Sequence, residues 1–468
     1  MTQVFRGHIF HVAGAATLAT AVESLVSIPD GALVVDDGGT IAWVGDHAGL
    51  PPRYADAPVR RSEFLLPGFV DAHLHYPQTF AVHAFGGGQL LDWLQRCIFP
   101  AEARLADPEV AERVAAEFVR RRIAAGSTAA MVFGSAFPAA QDALFAAHGR
   151  AGLRLVSGRG VQTVGSDATK PLLTGEDQAV ELVRREIERW HLADTGDPAT
   201  AKLQVAVVPR FSLSVTPRTL AALGELYASV RDRGVYFHTH LNENDSPGIG
   251  EIAAVRAVFG VQDYLDTYDG RFLPGSAVGG ASFLGRRSVF AHAVHCSDAE
   301  LARLAETGSS IAHCPTSQQF LGSGTMPWRR TTAAGVTIAA GTDIGAGDEW
   351  LVPQVLNDMY KVHLSEPGPA SVALHPAELL YTGTLAGAQA LDLQLRIGNF
   401  DLGKDADFLR VDATAWPPLA GTLEHTAGAV DDAAADVHTL FALLLGLREP
   451  AITSVFIQGQ EVSSGPVR

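Results

Sequence analysis

Residues 64–78 read FLLPGFVDAHLHYPQ, an apolar run that ends in two histidines, His73 and His75, one residue apart. Side chains alternate along a strand, so positions i and i+2 share a face and both imidazoles point the same way. That geometry suits one metal ion. It equally suits two histidines that fill a core, so the reading depends on what the rest of the chain brings to the same place.

Seven more short apolar runs follow: STAAMVFG (127–134), LRLVSGRGV (153–161), KLQVAVVPRF (202–211), VYFHTHLN (235–242), SVFAHAVH (288–295), SSIAHCPT (309–316) and VTIAAGTDIG (336–345). Longer helical stretches separate them, a pattern of βα units and a parallel sheet. With 64–75 as the first strand they number eight, which closes a (β/α)8 barrel. Helix starts are recognisable at Asp107-Pro108-Glu109, an N-cap before proline at N1, and at Ser297-Asp298-Ala299-Glu300, a capping box. Active sites of such barrels form at the C-terminal ends of the strands. Those ends carry His73 and His75, Arg210, His238 and His240 followed by Glu243, His292 and His295, His313, and Asp343. Polar chemistry therefore gathers at one rim.

The chain ends read differently. GALVVDDGGTIAWVGD (31–46) places two β-rich runs around a turn, and DADFLRVDA (405–413) and SVFIQGQEV (454–462) are strand-like. Both ends are expected to pair into one small β-domain. At 468 residues, 47% hydrophobic and 18% charged, the composition is that of a globular protein. A net charge of −16 repels phosphate backbones and anionic lipid surfaces, which disfavours nucleic-acid and membrane partners. A small neutral substrate fits better. Three scattered cysteines, Cys97, Cys296 and Cys314, form no disulfide framework and no C-x-x-C pair, so a reducing cytoplasm is the simplest location. The opening MTQVFRGHIFHVAGAATLATA imitates a secretion signal, but His8, His11 and Gly14 interrupt it and it reads as strand. The apolar stretch HTLFALLLGL (438–447) is too short to span a membrane.

Imidazoles and a carboxylate gathered from different strand ends suit Zn²⁺ or Fe²⁺, and they leave a coordination position open to water, whose pKa the metal lowers. The chosen ligand set is His73, His75, His240 and Asp343, with Asp343 also placed to accept the water's proton. Glu243, three residues beyond His240, can carry a proton to a leaving or ring nitrogen. His292 is placed to orient the attacking hydroxide, and His238 to pack or to hydrogen-bond behind a ligand. Plainer alternatives stand beside these: Asp343 as a turn aspartate next to glycines, Glu243 as a solvated loop acid.

In order along the chain, PGFVDAHLHYPQ, VPRFSLS, HTHLNEN, FAHAVH, SSIAHCPTS and GTDIGAG resemble the amidohydrolase superfamily and, within it, the guanine deaminase family. The likeness extends through LLDWLQRCIFPAE (90–102) and IGNFDLGKDADF (397–408). It implies a (β/α)8 barrel over 67–394 that carries one zinc, with iron as the alternative. A β-sandwich would be built from 1–66 and 395–468, and the chain would form a homodimer. It also implies hydrolytic deamination of guanine at C2 to xanthine and ammonia by a metal-activated hydroxide. His73, His75, His240 and Asp343 match the metal ligands, Glu243 the proton shuttle and His292 the hydroxide-orienting histidine. Gln78, Arg210 and Phe211 match positions that hold the purine, through amide, guanidinium and stacking contacts. Trp93 either walls the pocket or packs in the core. Related rings, such as an 8-oxoguanine, pterin or triazine, are the nearest rival substrates, and a scaffold without catalysis is the remoter one. Two departures stand out: Gln318 in Cys314-Pro315-Thr316-Ser317-Gln318, where the family often has asparagine, and the glycine-rich stretch 260–285, which reads as a lid or exposed loop.

Overall fold

The computed structural model describes residues 1–85, 90–246, 250–270, 281–429 and 434–462. The chain ends supply β1 (Gln3–Val12), β2 (Leu25–Val35), β3 (Ile41–Asp46) and β4 (Val59–Pro67). The middle supplies β5 (Phe69–His75), β6 (Ser127–Gly134), β7 (Arg154–Arg159), β8 (Leu203–Val207), β9 (Tyr236–Leu241), β10 (Ser288–His292), β11 (Ser310–His313) and β12 (Thr337–Ala340). Then follow β13 (Phe408–Val411), β14 (Ile452–Ile457) and β15 (Gln460–Val462).

Strands β5 to β12 pair in sequence order, all parallel, as an eight-stranded sheet with helices between successive strands. Backbone bonds beyond the ladder close it into a barrel: Asp343 N donates to the His73 carbonyl at 2.8 Å and His75 N to the Ile344 carbonyl at 2.7 Å. Asp71 pins the same seam, its carboxylate accepting from Thr342 N at 3.0 Å and from the Thr342 hydroxyl at 2.6 Å. The (β/α)8 barrel expected from the strand count is what the chain forms.

The first expected strand, 64–75, is in fact two. The chain changes sheets at Gly68, whose N–H bonds to the Asp407 carbonyl of the outer sheet at 3.0 Å, while Phe69 N bonds to Gly126 at the barrel's base at 3.1 Å. Crowding makes glycine necessary, because a Cβ at Gly68 would lie 2.2 Å from the Thr128 hydroxyl oxygen. The runs 202–211 and 336–345 also outlast their ladders. Their last residues leave the sheet to build the rim, helped at Pro209 by the missing N–H.

The other sheet has seven strands in the order β15-β14-β13-β4-β1-β2-β3, so both chain ends meet where β4 pairs with β13. The Asp36–Thr40 turn joins β2 to β3, with the Asp36 carboxylate accepting from Gly38 N and Thr40 N at 2.9 Å each. Phe5 and Phe456 sit three strands apart, yet their rings lie 5.0 Å from each other. Flat strands at about 4.8 Å spacing cannot bring them so close, so the sheet curls around its own core of Phe5, Leu33, Leu65, Phe408 and Phe456. The apolar stretch 438–447 falls mostly within a helix, Ala435–Gly446, that packs Leu440, Leu443 and Leu444 inward, with Phe441 against Tyr360 at 5.0 Å. No described helix is long and apolar enough to cross a membrane.

One buried ion-pair cluster ties the two sheets. Arg154, at the start of β7, bonds to Asp407 and Asp405 at 2.6 Å each, with all three side chains under 8% exposed. The stretch 260–285 is described only in part. Residues Tyr264–Thr267 form a largely buried 3-10 turn and Tyr268 follows fully buried, while the glycine-rich piece read as a lid or exposed loop falls mostly at 271–280. Residues 271–280 lie outside the described set.

Candidate active site

His73 and His75 end β5, His240 lies near the end of β9, His292 ends β10, and Asp343 follows β12. Parallel strands in register bring these ends to one rim. His73 Nε2 lies 3.1 Å and His75 Nε2 3.2 Å from Asp343 Oδ1, and His240 Nε2 lies 3.3 Å from His75 Nε2. Donors at 2.0–2.1 Å from a tetrahedral ion are about 3.3 Å apart, so His73, His75 and Asp343 fit one metal, while His240 stands beside His75 and also groups with His73 and His292.

The hydrogen bonds behind the rings fix the tautomers. His240 Nδ1 donates to the Arg210 carbonyl at 2.6 Å, which leaves the Nε2 lone pair facing the cluster. His238 Nδ1 donates to the Val289 carbonyl at 2.8 Å, so its Nε2 accepts from His73 Nδ1 at 2.8 Å. The lone pair of His73 Nε2 thereby also faces inward, buried and without a hydrogen-bond partner among the described residues. Burial pushes His75 down to about 4, His292 to about 3, and His240 and His238 well below their ordinary value. Neutral imidazoles with inward lone pairs are the form that binds a cation. Burial alone raises an aspartate, but charge and proton donation from His73 and His75 hold Asp343 well below the usual carboxyl range, a pull that a bound cation would exert where those rings are neutral.

Backbone strain collects here. Asn242, His292, Ala293 and Asp343 hold φ angles of +49°, +74°, +52° and +51°, a region costly for residues other than glycine. At Gly341, a Cβ would meet the Cys314 sulfur at 2.9 Å and the His73 Cβ at 3.0 Å, so the seam closes only without a side chain there.

A pocket opens on the cluster. Glu243 and Glu251 line it, both almost completely buried. Burial, then the charges of Glu251 and Asp343, drives Glu243 well above the usual carboxyl range, which favours its protonated form. Burial pushes Glu251 up to about 7. The Tyr264 hydroxyl donates to Glu251 Oε1 at 2.5 Å, while Glu251 Oε2 and Glu243 Oε1 have no partner among the described residues. His292 Nε2 stands 3.4 Å from Glu243 Oε2 and 3.9 Å from Asp343 Oδ2, between the two carboxyl groups.

At another wall, Glu102 holds two side chains at once. It accepts from Arg210 Nη1 at 2.6 Å and from Gln78 Nε2 at 2.8 Å, and Gln78 Oε1 accepts from Gly345 N at 3.1 Å. Arg210 also lies over the Phe99 ring, 5.1 Å from its centre. Trp93 lines the cavity with its indole N–H tied to the Ala84 carbonyl at 2.8 Å. The stretch 90–102 thus covers the cavity with Leu90, Trp93 and Leu94 and reaches under Arg210 with Phe99 and Glu102.

The residues assigned to metal, catalysis and substrate converge: His75, His240, His292, Asp343, Glu243, Gln78, Trp93, Arg210 and Phe211 line the cavity, and His73 touches Asp343 directly behind it. His295 and His313 do not join. His295 Nε2 donates to the Ser323 carbonyl at 2.7 Å, and His313 pairs with His363 at 3.0 Å. Three groups escaped the sequence reading. Glu102 sits inside the quoted stretch 90–102 and Asp71 two residues before His73, so proximity to the motifs was their signal. Glu251 had none.

The amidohydrolase family model matches residues 64–462. A probable guanine deaminase of Deinococcus radiodurans is 40% identical over 432 residues, 90% of this chain and 91% of that protein. The guanine deaminase of Escherichia coli is 37% identical over 410 residues, 86% of each. The solved structure titled E. coli guanine deaminase covers 99% of both chains, with a TM-score of 0.86 at 32% identity.

Proposed function

The chain belongs to the amidohydrolase family, and from that premise we propose that it is a guanine deaminase, a hydrolase that converts guanine and water to xanthine and ammonia. The observation that carries this reading is one cavity that joins a cation-binding cluster, a protonated carboxyl and a carbonyl-binding pair.

His73, His75 and Asp343 fit a divalent ion, because their donor atoms lie near tetrahedral spacing and the buried His73 Nε2 has no other partner among the described residues, and His240, 3.3 Å from His75, is the residue we add to complete the set. We assign zinc, which these donors accept as readily as ferrous iron. When bound, such an ion lowers the pKa of water toward about 7 and supplies a nucleophile at neutral pH. Arg210 and the second N–H of Gln78 donate to the guanine carbonyl, and Glu102 fixes the direction of both. Phe211 and Trp93 wall the ring. Glu243, protonated before the reaction, gives its proton to a ring nitrogen next to C2, which makes C2 a better electrophile. Asp343, ionised, accepts the proton that the nucleophile releases, and His292 between the two carboxyl groups orients that nucleophile. A proton returned to the exocyclic amine then lets ammonia leave. The reading also includes a homodimer, a cytoplasmic location and a chain divided into 1–66 and 395–468 around a catalytic unit at 67–394.

Metal-replete protein should release ammonia and xanthine from guanine in equal amounts. Glu243→Gln should lower kcat by about 10²–10⁴-fold at unchanged metal content. Comparable or better turnover of an 8-oxoguanine, pterin or triazine would sink the guanine assignment, and an active Glu243→Gln enzyme the proton-shuttle role.

A further inference from the structure

The polar groups of the cavity fall into two sets. Arg210 and Gln78, aligned by Glu102, are donors and take a carbonyl. Opposite in chemistry are Glu243 and Glu251, each with one buried carboxyl oxygen that has no partner among the described residues. Glu243 is occupied by the proton it passes to the reacting ring. Glu251 has no such task, yet it is 1% exposed, lines the same cavity, and is held rigidly. It begins the helix Glu251–Phe259, and Ile252 N bonds to the Asn244 carbonyl at 3.3 Å. The Tyr264 hydroxyl donates to Oε1 at 2.5 Å and the backbone N–H groups of Glu243 and Asn244 also face the carboxyl, yet Oε2 makes no well-formed hydrogen bond among the described residues. A buried acceptor without a well-formed donor is costly, because burial strips its water and the neighbouring backbone N–H groups offset that only in part. A ligand that brings an N–H to Oε2 removes that cost.

We propose that Glu251 is a substrate-binding residue whose free Oε2 accepts the imidazole N–H of the bound purine, so that the cavity selects purines with an unsubstituted five-membered ring. This rests on the guanine reading and deepens it. Guanine supplies a carbonyl for Arg210 and Gln78, a ring nitrogen for Glu243, and one more N–H on its five-membered ring. Pterins and triazines lack that five-membered ring and its N–H, and methylation at N7 or at N9 removes the N–H. The carboxyl at Glu251 thus gives a physical reason for preferring guanine over pterins and triazines, though not over an 8-oxoguanine, which keeps the N–H.

The test compares kcat/KM for guanine with kcat/KM and Ki for 7-methylguanine, 9-methylguanine and pterin in wild type, Glu251→Gln and Glu251→Ala. Gln keeps an oxygen for Tyr264 and presents N–H₂ where Oε2 accepted, so it preserves the fold; metal content and Tm verify this in both variants. Each variant should lose about ten- to a hundredfold in kcat/KM for guanine, the range of a hydrogen bond to a charged group. The preference for guanine over the methylguanines should fall at least tenfold, most in Glu251→Ala, where room is also made. Unchanged guanine turnover overturns the proposal, and so does a loss on guanine with no gain relative to either methylguanine, which would mark Glu251 as framework only. Wild-type protein that releases no ammonia from guanine would instead remove the underlying function.

Discussion

At the scale of single residues, the outcome turns on which nitrogen of each histidine carries the proton. His238 accepts from His73 only because Val289 has taken its own N–H. His238→Phe keeps the ring's bulk and removes the acceptor, so metal affinity should fall about 10–100-fold, read by competition with a chromogenic chelator. The ligands were legible from VDAHLH, HTHLNE and GTD because short spacing on a strand fixes which face a side chain takes. Glu102 and Glu251 were not, since their roles exist only once distant segments fold together. Other histidines are buried for structure alone. His11 is pushed down to about 4 and His148 to about 3, burial being the chief cause in each. Unfolded, each titrates near 6.5, so between 6.5 and 4 the unfolded chain binds protons that the native one refuses. Stability is intact above pH 6.5 and falls as the pH drops through that window, by on the order of 3 kcal/mol for each histidine. Urea midpoints of metal-free protein at pH 7, 5.5 and 4.5 should decline in that order.

At the scale of elements, the helix Asp298–Thr307 starts with the capping box read from the sequence. Glu300 N bonds to the Ser297 hydroxyl at 3.2 Å, and Ser297 N to Glu300 Oε2 at 2.7 Å. The structure adds a second duty, because Glu300 Oε1 accepts from Asn242 Nδ2 at 2.8 Å and from Leu265 N at 2.9 Å. Asn242 lies two residues beyond His240, and Leu265 belongs to the turn that carries Tyr264. Ser297→Ala should therefore cost about 1 kcal/mol, whereas Glu300→Ala, which strands two buried donors besides, should cost about 3 kcal/mol or more. Chemical denaturation of both variants measures the difference. A capping motif is local and was legible; its coupling to residues 35 and 58 positions away was not. The same limit explains strand 64–75. Its hydrophobicity is continuous, and only the crowding at Gly68 against Thr128 marks the change of sheet.

At the scale of the molecule, barrel and outer sheet were both legible in outline, one from eight βα periods and the other from β-rich chain ends. Their junction was not. Arg154 begins a strand like any other, and Asp405 and Asp407 sit in a tail read only for its pattern, yet together they form the buried cluster between the sheets. Removing one partner from such a cluster leaves buried charge uncompensated. Arg154→Met should cost about 3–5 kcal/mol, visible as a lowered denaturation midpoint, while kcat/KM at temperatures well below unfolding stays close to wild type.

The barrel's seam is also where the candidate metal site lies, since Asp343 N is bonded to the His73 carbonyl and Asp71 is pinned to Thr342, 271 residues later in the chain. In the order of synthesis, the histidines leave the ribosome long before the aspartate and the strand it follows. A growing chain is thus never a partial enzyme: its chemistry is withheld until the last stave of the barrel has been made and set beside the first.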